Sequence, residues 1–158
     1  MCGIFGVIDH PSIDRDRFKN ALALLHHRGP DFTDVKFWER AAFGFTRLAI
    51  QDLSPNGNQP MTLLDDSLTI VFNGEIYNHK ILREKLKSEG VQFFSRSDTE
   101  VILHAFHCWG WEKTLQALEG MFGMAIYDHR NGTFYLARDR FGQKPLFFSQ
   151  DSKHGFVF

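Results

Sequence analysis

Six short apolar runs, at residues 3–8, 42–50, 68–72, 124–127, 133–137 and 146–148, are separated by turn-formers such as Asn131-Gly132. Runs of this length between turn signals read as strands. Between them lie stretches whose apolar residues recur at helical spacing. Phe18, Ala21, Leu22 and Leu25 mark one helix, ended by Gly29-Pro30; Leu82 and Leu86 mark a second, with Asn78 as N-cap and Gly90 as terminator. The third is the best marked. Ser97-Asp98-Thr99-Glu100 has the spacing of a capping box, and Val101, Ile102, Ala105, Phe106 and Trp109 follow on one stripe. Strand pairs therefore alternate with helical blocks but without a regular βαβ repeat, which restricts the chain to an α+β architecture of packed sheets with helices outside.

The chain has 158 residues, the size of one domain, and its 43% hydrophobic content supplies a substantial core. Seventeen phenylalanines suggest thick sheet or sheet–helix packing, with side chains buried on both faces. Eighteen basic residues balance 19 acidic ones without a long run of either sign, which argues against nucleic acid as a partner. Two cysteines make no disulfide framework, and the N-terminus lacks a signal peptide's basic and apolar regions, so the cytoplasm is the simplest location. No apolar run approaches the ~20 residues needed to cross a bilayer.

Several polar residues sit where these elements end, the usual place for binding groups. Cys2 is the first. Removal of Met1 would put a thiol nucleophile and a free α-amine, with an unperturbed pKa of about 7.7–8.0, on one residue. The plainer reading is a small apolar side chain. Arg47 could be a solvated surface cation or a planar fork for a free carboxylate. Asn73-Gly74-Glu75 follows the run at 68–72 and delivers an amide, an unhindered N–H and a carboxylate together. Asn73 and the Gly74 N–H could form an oxyanion hole, although Asn-Gly is also the commonest short hairpin turn. Glu75-Ile76-Tyr77-Asn78 leads into a helix rather than a second strand, which speaks against the turn. Asp98 suits the first turn of a helix and could equally bind an ammonium. Glu100, His104 and His107 share a helical face, yet no matching acid or histidine pattern lies on another helix, and no metal is expected. His26-His27 reads as helix C-terminal capping and Cys108 as a packed, inert thiol. Residues 140–144 lack the features of a phosphate loop.

Taken in order, Met1-Cys2-Gly3-Ile4-Phe5-Gly6, His27-Arg28-Gly29-Pro30-Asp31, Arg47-Leu48, Asn58-Gln59-Pro60-Met61, Phe72-Asn73-Gly74-Glu75-Ile76-Tyr77-Asn78, Ser97-Asp98-Thr99-Glu100 and the run from Arg138 to Leu146 resemble the glutaminase domain of glutamine-hydrolysing asparagine synthetases. The resemblance covers essentially the whole chain, and the residues after Arg28-Gly29 separate it from the related sugar-phosphate and purine amidotransferases. It implies a class II glutamine amidotransferase with an N-terminal-nucleophile hydrolase fold, a four-layer αββα sandwich of antiparallel sheets. It further implies that Cys2, after loss of Met1, attacks the side-chain amide of L-glutamine, its own amine serving as base. Asn73 and Gly74 would hold the oxyanion, Arg47 the substrate carboxylate, and Glu75 with Asp98 the substrate ammonium. The segment Leu48, Ala49, Ile50 and Gln51 would line the pocket edge.

Ala49 and Gln51 replace the serine and aliphatic residue common in the family's Arg-Leu-Ser-Ile stretch, and Gln143 replaces a usual apolar residue before Lys144-Pro145. The resemblance also implies that the chain is truncated at its C-terminus. Family members continue into an ATP- and magnesium-using synthetase domain, the partner that would convert the ammonia to asparagine, whereas this domain needs no cofactor itself. The final strand is accordingly expected to leave an unpaired edge, and a homodimer is compatible with the pattern. Two alternatives stay open: a glutamine-binding or regulatory module without turnover, and an amidotransferase for another carboxylate acceptor.

Overall fold

The computed structural model describes residues 1–50, 52–151 and 155–158. In chain order the elements are β1 (Gly3–Ile8), α1 (Arg15–Ala23), a 3-10 turn (His26–Arg28), β2 (Phe32–Phe37), β3 (Ala41–Arg47), a second 3-10 turn (Pro55–Gly57), β4 (Met61–Thr62), β5 (Leu68–Ile76), α2 (His79–Ser88), α3 (Asp98–Trp109), α4 (Trp111–Ala117), β6 (Gly120–Asp128), β7 (Thr133–Arg138), β8 (Ser149–Asp151) and β9 (Gly155–Val157). The strands form two sheets, β2-β3-β1-β9-β8 and β4-β5-β6-β7. Every paired neighbour is antiparallel.

Strand parity builds the layers, because successive side chains point to opposite faces. On β5, Leu68, Ile70, Phe72 and Ile76 join a core shared with Leu82 and Leu86 of α2 and Ile102 and Phe106 of α3, while Val71 faces the other way. On β6, Phe122, Met124 and Ile126 join the same helical side and Ala125 the opposite one. Val71 and Ala125 meet Ile8, Phe43, Phe45 and Phe158 of the five-stranded sheet in a second core between the sheets. The far face of that sheet carries α1, where Phe18 packs on Phe5 and Phe37 with ring centroids 4.8 and 5.3 Å apart. The order is helix, sheet, sheet, helices, the expected four-layer sandwich. Among the described residues no helix is long and apolar enough to cross a membrane.

Helix ends follow local chemistry. Asp14 caps α1, its carboxylate accepting from the Asp16 and Arg17 N–H groups at 3.0 Å. The ring of His27 contacts the Leu24 carbonyl through Nδ1 at 2.9 Å, capping the end of that helix as expected. The Val91 N–H returns to the Leu86 carbonyl past Gly90, whose φ of 94° suits the left-handed stop of α2. Asn78 occupies the N-cap position of α2 but spends its amide elsewhere, donating to the Ala117 carbonyl and accepting from the Glu119 N–H. The capping box at α3 is half made. Ser97 accepts from the Thr99 N–H at 3.1 Å, but Glu100 accepts from the Phe94 and Ser95 N–H groups and so braces the preceding loop.

Four expectations are corrected. The strand read at 42–50 ends at Arg47, and residues 48–50 leave the sheet. The run at 146–148 is not a strand; Phe147 and Phe148 are exposed, and the extended pairing begins at Ser149. The last strand, β9, is paired on both sides by β1 and β8, so the sheet edge falls on β8 instead. Cys108 is exposed rather than packed, its thiol pushed up by partial burial and by the charge of Glu89. The strands β2 and β4 and the helix α4 were not anticipated, since FTDVKF mixes charge with apolar residues and β4 is two residues long.

Candidate active site

The same parity that builds the inter-sheet core also delivers polar groups to one end of it. Cys2 precedes Ile4 and Ile8 on one face of the first strand, and Arg47 continues the face of Phe43 and Phe45 on β3. Asn73 and Glu75 continue the face of Val71 on β5. At this end a cavity of about 220 Å³ opens, whose walls include Cys2, Arg47, Asn73, Gly74, Glu75 and Asp98. All of the polar residues singled out in the sequence as nucleophile, oxyanion donors and charge clamps thus share one cavity. Leu48 and Ile50 also line it. The structure does not bring Ala49 to the wall; its N–H donates to Asp31 Oδ2 at 2.8 Å. Gln51 lies outside the described residues.

Cys2 is half-buried, with the Leu48 N–H directed at its Sγ at 3.4 Å and the Arg28 Nε–H donating to its carbonyl at 3.0 Å. The next residue is pinned as well: the Gly3 N–H donates to Thr46 Oγ1 at 3.1 Å, and that hydroxyl donates to the Leu25 carbonyl at 3.2 Å. The start of β1 is therefore held on three sides while the thiol faces the cavity. Met1 is 55% exposed and sits at the mouth, its sulfur taking a hydrogen bond from Lys144 Nζ at 3.2 Å.

β5 runs on to Ile76, so Asn73-Gly74 is not a hairpin turn but part of a paired strand, opposite Gly123 and Phe122. The Phe122 N–H donates to Asp139 Oδ2 at 3.1 Å and its carbonyl accepts from the Asp139 N–H at 2.9 Å, which leaves Gly74 opposite it in a non-hydrogen-bonded position. On β5 the Phe72 N–H points away from β6 to Gln59 Oε1 at 2.6 Å, and the Ile76 N–H points the same way to Asp98 Oδ2 at 2.9 Å. The Gly74 N–H, midway between them, must face the same edge. Among the described residues it has no partner, and neither does the buried side-chain amide of Asn73. Two uncommitted donors thus look into the cavity. Gly74 is obligatory on packing grounds: a Cβ there would run into the Met121 carbonyl oxygen and lie 2.7 Å from the Phe122 Cα.

Arg47 is only 7% exposed, so it is no solvated surface cation. Its Nη1 donates to the Ser54 carbonyl at 2.9 Å and to Asn58 Oδ1 at 2.6 Å, and Nη2 to the Asp52 carbonyl. A guanidinium has five N–H donors, so among the described residues Nε–H and one on Nη2 remain for a carboxylate. Gly57 lets the guanidinium pass, since a Cβ there would stand 2.5 Å from Nη2.

Asp98 is buried at the start of α3, and burial pushes its carboxyl up to about 6, with the nearby charge of Glu75 adding to the rise. The Ile76 and Thr99 N–H groups oppose that rise. Among the described residues Asp98 makes no ion pair, and a buried carboxylate so placed is a receptor for a cation. Of the other candidate ligands, Glu100 and His104 stay together, Oε1 to Nε2 at 3.5 Å, with Glu100 bracing its loop and His104 edge-on to Phe93, whereas His107 turns away to Ser67 at 3.2 Å. Among the described residues there is no cluster of three metal-ligating side chains. The sequence reading missed Asp52, Gly57 and Asn58, which shape Arg47, and the role of Gln59. Of these, Asn58 and Gln59 stood in a noted motif, but nothing local says what they bond.

A family described as the glutamine amidotransferase domain matches residues 1–158. An asparagine synthetase (glutamine-hydrolysing) of Arabidopsis thaliana is 43% identical over 150 residues, covering 93% of this chain and 25% of that protein. One from Bacillus subtilis is 40% identical over 154 residues, with 94% and 24% covered. The chain thus spans about a quarter of the length of these curated relatives. Among solved structures, the glutamine phosphoribosylpyrophosphate amidotransferase of B. subtilis superposes with a TM-score of 0.82 at 21% identity, over 99% of this chain and 41% of that one. At that identity the likeness is one of fold: an N-terminal-nucleophile hydrolase-like sandwich.

Proposed function

The chain belongs to the glutamine amidotransferase domain family, and from that premise we propose that it hydrolyses L-glutamine to glutamate and ammonia with Cys2 as nucleophile. The observation that carries this reading is the single cavity that joins a thiol, two uncommitted oxyanion donors, a guanidinium fork and a buried carboxylate. With Met1 removed, the α-amine of Cys2 takes the thiol proton as sulfur attacks the amide carbon. The carbonyl π pair moves to oxygen, where the Gly74 N–H and Asn73 amide receive it. Collapse expels ammonia, protonated by the same amine, and leaves a glutamyl thioester. Water then adds to that thioester, returning the thiol and releasing glutamate. Arg47 takes the α-carboxylate and Asp98 with Glu75 the α-ammonium. The ammonia would pass to an ATP-dependent synthetase domain that makes asparagine, a reading supported by the activity named for the relatives.

The test is labelling with 6-diazo-5-oxo-L-norleucine, a glutamine analogue that alkylates such nucleophiles, read by intact mass and N-terminal peptide. A folded chain without Met1 should carry one adduct, on Cys2. An unmodified Cys2 in that chain would sink the proposal.

Two further results are expected. Arg47→Lys should raise KM for L-glutamine about 10- to 100-fold with a smaller change in kcat, because lysine supplies the charge but not the fork, and charge-assisted bonds are worth about 1.5–3 kcal/mol. Steady-state ammonia release checks it. The second concerns pH. Asp98 must be ionised to hold an ammonium, and its carboxyl protonates near pH 6 when the cavity is empty. KM for L-glutamine should therefore rise as pH falls below about 6, by up to about tenfold per unit. In Asp98→Asn KM should be high throughout and flat across that window.

A further inference from the structure

We infer that Gln59 is a positioning residue for the oxyanion donors: its side-chain amide stands in for a missing strand and holds the edge of β5 at Gly74. This rests on the proposed glutaminase reading. β4 pairs with β5 only at Met61–Ile70 and Thr62–Thr69, so among the described residues the edge of β5 beyond Ile70 has no neighbouring strand. Gln59 fills the next rung. It is buried, its Oε1 accepts from the Phe72 N–H at 2.6 Å, and its Nε2 donates to the Phe72 carbonyl at 3.2 Å. An amide side chain presents an acceptor oxygen and an N–H donor in the geometry of a peptide unit, so it can close both bonds that a strand would make and still has a second N–H to give. Glutamate could close only one and methionine neither.

The same Nε2 donates to Thr99 Oγ1 at 3.2 Å, in the first turn of α3. One residue earlier on that turn, Asp98 Oδ2 accepts from the Ile76 N–H. The edge of β5 is thus tied to one helix terminus at Phe72 and again at Ile76, and the free N–H lies midway, at Gly74. Two ties on either side fix the height and tilt of the peptide between them. A donor serves an oxyanion only if it already points at where charge develops, and a misplacement of about 1 Å can cost about 10²-fold. Gln59 does not touch the substrate amide in this account; it sets where the donors stand.

The test uses the full chain carrying Gln59→Met or Thr99→Val. Each is compared with wild type for kcat and KM in ammonia release, for Tm, and for inhibition by glutamate γ-semialdehyde. That aldehyde adds the Cys2 thiol to its carbonyl, forming a C–S bond while the π pair goes to oxygen, which takes a proton, so its affinity reads the oxyanion donors. In Gln59→Met, kcat should fall about 10- to 100-fold with KM within about twofold, and aldehyde affinity should weaken by the same factor. Thr99→Val keeps both bonds to Phe72 and should lose less, about three- to tenfold in kcat. A lowered Tm with kcat and aldehyde affinity unchanged, or a loss confined to KM, would make Gln59 merely structural and overturn the inference. Should Gln59→Met not fold, Thr99→Val decides: a folded variant with wild-type kcat overturns it. A wild-type chain that releases no ammonia overturns the glutaminase reading, and the role of Gln59 with it.

Discussion

Replacing Cys2 with alanine should reduce ammonia release from L-glutamine by about 10⁴- to 10⁶-fold, the range in which removal of a covalent nucleophile falls. No other thiol replaces it: Cys108, the second cysteine, is outside the cavity on α3. The serine variant should recover little, since a hydroxyl is a weak nucleophile at its free pKa. Folding should survive, because the sulfur's polar contacts are long ones with the Leu48 backbone, at 3.4 and 3.7 Å. Binding should survive too, since Arg47, Glu75 and Asp98 are untouched. At 100 times Kd, L-glutamine should stabilise both proteins by about 2.7 kcal/mol. The pair of measurements separates chemistry from recognition. Equal turnover by wild type and Cys2→Ala would exclude the nucleophile; binding without turnover in wild type would make the chain a glutamine-binding module.

Gly74→Ala should be nearly as damaging by a different route. The new methyl would be driven into the Met121 carbonyl and to 2.7 Å from the Phe122 Cα, both backbone atoms of a central strand that cannot rotate aside. β5 must shift against β6, which takes the Gly74 N–H away from the oxyanion. Loss of one such donor costs about 10²- to 10³-fold in kcat, and overpacking costs about 1–3 kcal/mol in stability. Asn73→Ala is the control. Its amide has no partner among the described residues, so kcat should fall into the same range while Tm changes little. Kinetics with thermal melts on both variants checks the contrast. If Gly74→Ala folds and turns over like wild type, the Gly74 N–H is not an oxyanion donor.

Much of the architecture was legible because it is periodic. The apolar runs on β5 and β6 and the stripe on α3 mark their elements from the chain alone, and α3 starts at Asp98 after the Ser97 cap. Boundaries were less legible where tertiary pairing extends an element past its apolar run. Asn73-Gly74 reads locally as a turn, yet the strand continues because Gly123 and Phe122 of β6 lie opposite. Phe147 and Phe148 read as a strand from composition, yet pairing starts one residue later. The short β4 carries too few residues to show any period.

The sequence by itself determined which chemical groups are available and on which strand face they ride, because side-chain parity and helix capping are local properties. The α+β class follows from that alone; Cys2, Arg47, Asn73, Glu75 and Asp98 stood out as candidates with plainer readings beside them, and the family resemblance supplied their expected roles. Only the tertiary structure decided which donors remain free. Gly74 faces an open edge since Phe72 and Ile76 are answered by Gln59 and Asp98, partners 13 and 22 residues distant in the chain. Arg47 keeps part of its fork because the loop at residues 52–58 takes only the rest, and Asp98 holds its proton near pH 6 because the packed sheet buries it. These outcomes depend on which long-range neighbour completes each hydrogen bond and excludes water, and no local pattern encodes that.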